Sequence, residues 1–109
     1  MPTTYKVLGQ SAPSATTATT LYTAPASTQT VVSTIVVANR VTSNATFRIA
    51  IRPGGATLAN SHYIAYDITV GASDSTALTL GVTLGATDVI TVYASTANLT
   101  FTAFGSEIS

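Results

Sequence analysis

Cysteine and charge are what this chain of 109 residues most lacks. It contains no cysteine, which excludes a disulfide framework, a thiol nucleophile and a cysteine-ligated metal site. Only 7% of the residues are charged, against about 25% in an average soluble protein. The four basic and four acidic residues cancel. Because affinity for phosphate backbones needs clustered Lys and Arg, we do not expect a nucleic-acid partner.

So little charge protects a surface only weakly against association. Two explanations are open: Ser and Thr alone keep the surface soluble, or much of that surface is buried against further copies of the chain. We favour the second. No run of about 18 apolar residues is present, so no membrane span is expected. Residues 1–10 lack the apolar segment of a secretory signal.

Thr, Ser, Ala and Val dominate the composition, and apolar residues recur with a period of two, which indicates strands rather than helices. Turn signals divide this pattern into eight candidate strands. They cover residues 4–8, 19–23, 30–40, 46–52, 62–70, 75–80, 88–94 and 99–104. The pattern predicts an antiparallel β-sandwich, either a jelly roll or an immunoglobulin-like fold. We expect residues 1–18 to form an N-terminal strand and a flexible arm or linker, and residues 19–109 to form the sandwich domain.

Alternation along these strands predicts which residues face the core. A slip of one residue would expose the whole set, so the register should be well defined. The predicted core residues are Phe47, Ile49, Ile51, Ile64, Tyr66, Ile68, Val70, Leu78, Leu80, Val82, Leu84, Leu99 and Phe101. The residues predicted to face outward on the fourth and fifth strands are Thr46, Arg48, Ala50, Arg52, Tyr63, Ala65, Asp67 and Thr69.

The third and seventh strands carry apolar residues on both faces, whereas a sandwich strand normally has one face in water. The third strand could be a central strand shielded by the N-terminal segment, or both strands could contact a neighbouring subunit. We favour the subunit interface. Its candidate residues are Val32, Val36, Arg40, Arg48, Arg52, Tyr63, Asp67, Ile90 and Val92. If the fourth and fifth strands pair, Arg48 should meet Asp67 across them.

Nothing in the chain combines the residues that catalysis requires. His62 is the single histidine, and no G-x-S-x-G nucleophile motif is present. The four carboxylates are scattered, and Asp74 and Asp88 fall in predicted turns, where Asp is favoured for its hydrogen bonds to the backbone. We therefore expect neither an enzyme nor a cofactor or metal site.

From residue 19 onward the sequence resembles small virion proteins of tailed bacteriophages. The phrases that carry the resemblance are "TLYTAPASTQTVVSTIVVANR", "ATFRIAIRPGG", "HYIAYDITV", "LTLGVTLGATDVITVYAS" and "LTFTAFGSEIS". The resemblance implies a structural β-sandwich on the capsid, as a decoration or cement protein, or in the neck or tail. Its partners would be further copies of itself, in a homo-oligomer such as a trimer, and other virion proteins. Such a protein is made in the host cytoplasm and needs no signal peptide.

A second function remains open, that of a host-glycan or receptor-binding module of a phage fibre or spike. It would use Tyr63, which is predicted to face outward and belongs to a residue type enriched at interfaces. The loop at residues 56–61 would contribute to the same site.

Overall fold

The computed structural model describes residues 3–79 and 81–109 and contains, over those residues, nine strands in two antiparallel sheets. The strands are β1 (Thr3–Ser11), β2 (Thr19–Thr23), β3 (Gln29–Asn39), β4 (Ala45–Arg52), β5 (Tyr63–Val70), β6 (Ser75–Leu78), β7 (Val82–Leu84), β8 (Val89–Ala94) and β9 (Leu99–Ile108). Sheet A has the order β1-β9-β3-β6, with β7 also paired to β3. Sheet B has the order β2-β8-β4-β5.

The strand pairs are nested along the chain. β1 pairs with β9, β2 with β8, β3 with both β6 and β7, and β4 with β5. This is the pairing of one long hairpin rolled into two facing sheets, which is the jelly-roll arrangement. The predicted antiparallel β-sandwich is therefore confirmed, and the strand order selects the jelly roll over the immunoglobulin-like alternative.

The core lies between the inner faces of the two sheets. Phe47 of β4 meets Phe101 of β9 edge-to-face, with ring centroids 6.0 Å apart and ring planes at 75°. Both rings are fully buried. The predicted core residues Phe47, Ile49, Val70, Leu84, Leu99 and Phe101 are buried, and Ile51, Leu78 and Val82 pack against them partly buried. Leu80, also predicted for the core, lies outside the described residues.

The face assignment for β5 was wrong over most of the strand. Ile64, Tyr66 and Ile68 are exposed, whereas Ala65 is buried. The cause is irregular pairing with β4, where the register shifts on both sides of Ile49. Asp67 has a φ of +53°, the left-handed conformation that a regular strand does not use. The extra residues of these bulges break the period of two, so simple alternation cannot be extended through β5.

A bulge also changes the faces of β3. Its register against β9 shifts between Val32 and Thr34, so Val32 and Ile35 both point into the core although their positions differ in parity. Val31, which alternation placed on the face of Ile35, is exposed. Across the bulge lies Gly105, where a Cβ atom would overlap the carbonyl group of Val31. The close approach of the two backbones therefore requires glycine at this position.

The N-terminal residues form part of the sandwich. β1 pairs with β9 from Thr3 to Ser11, well beyond the predicted end of the first strand, and Leu8 packs against the core. The boundary expected after residue 18 therefore does not separate an arm from the domain at residues 3–11. β6 ends at Leu78, and β7 is a separate short strand that the sequence analysis did not distinguish. Over residues 3–79 and 81–109, no helix is long and apolar enough to cross a membrane.

The alternation in β4 can be tested with two aspartate substitutions. We expect Ile49→Asp to unfold the domain, because it buries an unpaired charge between the sheets and domains of this size are stable by only about 5–15 kcal/mol. Thr46→Asp, three residues away on the outer face, should change the free energy of unfolding by less than about 1 kcal/mol. Urea denaturation followed by circular dichroism measures both. Equal stability of the two variants would contradict the assigned faces.

Candidate functional site

The outer face of sheet B gathers one arginine, one aspartate and three tyrosines, which we call the arginine–tyrosine cluster. Its members are Arg48, Tyr63, Tyr66, Asp67 and Tyr93. Arg48 points outward because its neighbours Phe47 and Ile49 fill the core. Tyr93 of β8 lies directly opposite Arg48, and the bulge in β5 brings Tyr66 and Asp67 to the other side.

Three side chains contact the guanidinium group of Arg48. Its Nε donates to Oδ1 of Asp67 at 2.7 Å and its Nη2 to Oδ2 at 3.4 Å, which confirms the cross-strand pair expected from the sequence. Its Cζ lies 4.1 Å from the ring centroid of Tyr66 and 4.4 Å from that of Tyr93. The hydrogen bond to Asp67 raises the pKa of Arg48. Tyr63 meets the Tyr66 ring edge-to-face at 5.0 Å, and Tyr66 remains 54% exposed.

The arginines predicted for the interface do not form one site. Arg52 donates from Nε to the Thr91 hydroxyl at 2.9 Å and from Nη1 to the carbonyl of Ala56 at 3.0 Å, so it fastens the loop after β4 to the sheet. Arg40 follows β3, and its Nη2 donates to the carbonyl of Ala97 at 2.8 Å. Of the predicted polar residues, the structure therefore brings together only Arg48, Tyr63 and Asp67.

Three predicted interface residues belong to the core. Val32, Ile90 and Val92 are buried between the sheets and cannot contact a neighbour. The bulge beyond Val32 turns that residue inward, and Ile90 and Val92 lie opposite Ile51 and Ile49 on the inner face of sheet B. Val36 is different. It lies opposite Thr102 on the outer face of sheet A and is half-buried.

The outer face of sheet A is a surface that the sequence analysis missed. The strands of this sheet contain two charged residues, Lys6 and Glu107. Lys6 lies opposite Gly105, which in turn lies opposite Val32, and Glu107 lies opposite Thr30. Both charged residues therefore belong to rows that face the inside of the sandwich. Opposite residues of an antiparallel pair share a face. The described strands therefore leave the outer face of sheet A without any charged residue, and we call it the uncharged face.

Large apolar side chains are exposed on the uncharged face. Tyr5 is 83% exposed, Val7 47% and Phe104 39%. Tyr5, Val31 and Phe104 line an open groove of about 630 Å³ together with Ser33, Gly105 and Ser106. Lys6 also borders this groove, although its ammonium group pairs with Glu107. The signal for this surface was present in the sequence, since continuing the alternation of the last strand from Phe101 and Ala103 places Phe104 on the opposite face.

A series of hydrogen-bonded polar side chains joins the two sheets at one end of the core. The Tyr22 hydroxyl lies 2.8 Å from Oγ1 of Thr30 and donates to Oε2 of Glu107 at 2.5 Å, and Lys6 pairs with Oε1 of Glu107 at 2.9 Å. Burial, reinforced by the hydrogen bond to Glu107, raises the pKa of Tyr22 to about 12. The hydrogen bonds from Tyr22 and Lys6 hold the pKa of Glu107 below its ordinary value.

The residues considered for catalysis remain apart. His62 accepts a hydrogen bond at Nδ1 from the amide of Ala59, which fixes a local turn. Asp88 accepts from the amides of Gly54 and Gly85 and so ties two loops together. In the described part of the chain, no three His, Asp or Glu side chains gather as metal ligands. That the chain is not an enzyme stays a prediction.

No protein-family model matches this chain, and no curated protein sequence matches it. The fold and the two outer faces are therefore the structural basis for any proposal about function.

The link between Tyr22 and Glu107 predicts how stability depends on pH. A raised pKa in the folded state gives stability that is present below the unfolded pKa of about 10 and lost as the pH rises toward 12. We expect the wild-type chain to lose about 2 kcal/mol from this group between pH 9 and pH 12. Tyr22→Phe should lose correspondingly less over the same interval.

Urea denaturation at each pH measures this loss. Tyr5→Phe removes a hydroxyl at an exposed position, and we expect it to follow the wild-type curve. Equal alkaline losses in Tyr22→Phe and the wild-type chain would contradict the coupling.

Proposed function

We propose that this chain is a structural virion protein of a tailed bacteriophage, assembling in symmetric copies on the capsid or in the neck or tail. The observation that carries the proposal is the uncharged face. A monomer gains solubility from charge distributed over its surface, whereas the described strands of sheet A place no charged residue on its outer face. Such a face is suited to contact with a neighbouring subunit.

The energetics of the uncharged face support assembly. Burying a charged side chain is costly unless it is paired, and the centres of protein interfaces are accordingly depleted in charge. Tyr5, Val7 and Phe104 supply apolar area whose burial contributes about 25 cal/mol per Å². The Ser and Thr residues around them keep the face soluble before it is covered.

The fold and the resemblance support the same function. Jelly rolls are common in viral capsid proteins, although they also occur in lectins, so the fold alone does not select between these roles. The phrases that resemble phage virion proteins begin at Thr20 and cover most of the chain from there to its end, with parts of every strand from β2 to β9. Self-assembly is the mechanism that this proposal assigns to the protein.

Association of the purified chain tests the proposal in solution. Light scattering over a range of concentrations should give masses that are multiples of the 11.1 kDa chain. Phe104→Lys, which places a charge on the uncharged face, should weaken association about tenfold or more. The control Thr57→Lys adds the same charge in an exposed loop and should associate as the wild-type chain does.

The particle itself provides the decisive readout for the virion role. Mass spectrometry of purified phage particles should detect the chain in multiple copies per particle. Particles that lack the chain, or a chain that stays monomeric at high concentration and does not bind particles, would contradict the proposal.

A second candidate function is recognition of a host glycan, favoured by the exposed ring of Tyr66 in the arginine–tyrosine cluster. Tyr66 is the more exposed of its paired tyrosines and so replaces Tyr63 as the central residue of this candidate. On a glycan array, Tyr66→Ala should abolish binding while Thr69→Ala, on the same strand, should retain it. An array without any wild-type binding would exclude the glycans tested.

A further inference from the structure

The two sheets of the sandwich have four edges, at β1 and at β6 with β7 in sheet A, and at β2 and β5 in sheet B. An edge strand presents backbone N–H and C=O groups that no neighbouring strand pairs, and these groups can bind another chain. Short strands, bulges and charged side chains normally prevent such pairing. The four edges of this protein differ in how far they are protected.

Three of the edges are interrupted or short. β6 has four residues and β7 three. β5 has two register shifts against β4 and the left-handed residue Asp67. β2 has five residues, with a register shift between Thr20 and Tyr22. None of these edges offers a long regular template.

The edge at residues 3–7 of β1 is regular and open, and we call it the free edge. These five residues pair one by one with β9, from Thr3 opposite Ile108 to Val7 opposite Phe104, and all five are exposed. The register shift of β1 comes only after Val7. From Gly9 onward the strand lies against β2, where a Cβ atom on Gly9 would overlap the carbonyl of Leu21.

A lysine on an edge strand commonly prevents that strand from pairing with another chain, and Lys6 is the one charged residue of β1. Its ammonium group lies 2.9 Å from Oε1 of Glu107 on β9. Lys6 therefore lies on the inner face of sheet A, where its charge is paired with β9, and its side chain remains partly exposed. The five residues also include no proline, so every one of them has a backbone N–H.

We infer that the free edges of two copies pair antiparallel about a two-fold axis and join two copies of sheet A into one continuous ten-stranded sheet. This inference rests on the proposed function and names one contact of the assembly. Antiparallel pairing of identical segments is self-complementary, which is the requirement for a two-fold interface. Because the proposed function requires copies of this chain to associate, the occupant that we assign to the free edge is a second copy of the chain.

Charge selects the register of this pairing. A register centred on Lys6 would place two ammonium groups opposite each other, whereas a register centred on Tyr5 places Tyr5 opposite its symmetry mate and Val7 opposite Thr3. In the second register, Tyr5 packs on its symmetry mate and Val7 on Thr3 of the other copy, and these contacts extend the uncharged face across both copies. The groove at Tyr5, Val31 and Phe104 then continues over the two-fold axis.

A single cysteine tests the contact, because the chain has none of its own. Opposite residues of antiparallel strands have Cα atoms about 4.5–5.5 Å apart, within the range that a disulfide bridges. We expect Tyr5→Cys to form a disulfide-linked dimer under mild oxidation. Thr69→Cys, exposed on the interrupted edge strand β5, should remain monomeric on a non-reducing gel. Equal cross-linking of both variants, or none in Tyr5→Cys, would overturn the inference.

Charge complementation tests the register independently. Tyr5→Lys and Tyr5→Glu, each alone, place like charges opposite each other and should weaken dimerisation about tenfold or more by sedimentation equilibrium. An equimolar mixture of the two variants should restore the dimer. If the wild-type chain dimerises and neither variant changes its dissociation constant, the inference fails.

The two proposals fail on different results. Unchanged association in all the Tyr5 variants, with the chain present in purified particles, overturns the edge pairing and leaves the virion role standing. Absence of the chain from particles, with the Tyr5→Cys dimer formed, overturns the virion role and leaves the edge pairing standing.

Discussion

The contact between Phe47 and Phe101 is the interaction on which the rest of the structure depends. It joins sheet A to sheet B at a fully buried point, with the rings edge-to-face. Once these two side chains lie inside, alternation along β4 and β9 determines which neighbours face outward. Arg48 and Phe104 are both on the surface for this reason. The outer faces are thus consequences of the way in which the core is filled.

Bulges modify this simple rule and separate charge from apolar surface. The bulge beyond Val32 and the left-handed Asp67 change the faces of β3 and β5. As a result Asp67 reaches Arg48, and the arginine–tyrosine cluster forms on sheet B. Lys6 and Glu107, the two charged residues in the strands of sheet A, lie on its inner rows. The outer face of sheet B therefore carries a paired charge among tyrosines, whereas the described strands of sheet A leave its outer face without a charged residue.

The sequence predicted the strands and the sandwich, because both follow from local alternation and turn signals. It also predicted the pairing of Arg48 with Asp67, although in the structure the irregular pairing of β5 with β4, and not regular alternation, brings Asp67 to Arg48. It did not predict the exposure of Tyr66 or the burial of Val32. A bulge depends on how two strands distant in sequence fit together, and alternation within one strand does not report that fit. Asp67 in the middle of an apolar strand was a usable signal, since Asp is depleted in strands and tolerates a positive φ. The jelly-roll order likewise depends on long-range pairing, of which β1 with β9 is the longest example.

The proposed assembly uses two features of the surface, the uncharged face and the free edge next to it. If the proposed virion role is correct, an electron-microscopy map of a tailed-phage particle that contains the chain is the most direct test of this account. We predict symmetric copies of the jelly roll, with the uncharged face covered by a neighbouring subunit. Copies whose uncharged face is open to solvent while sheet B makes every contact would contradict it.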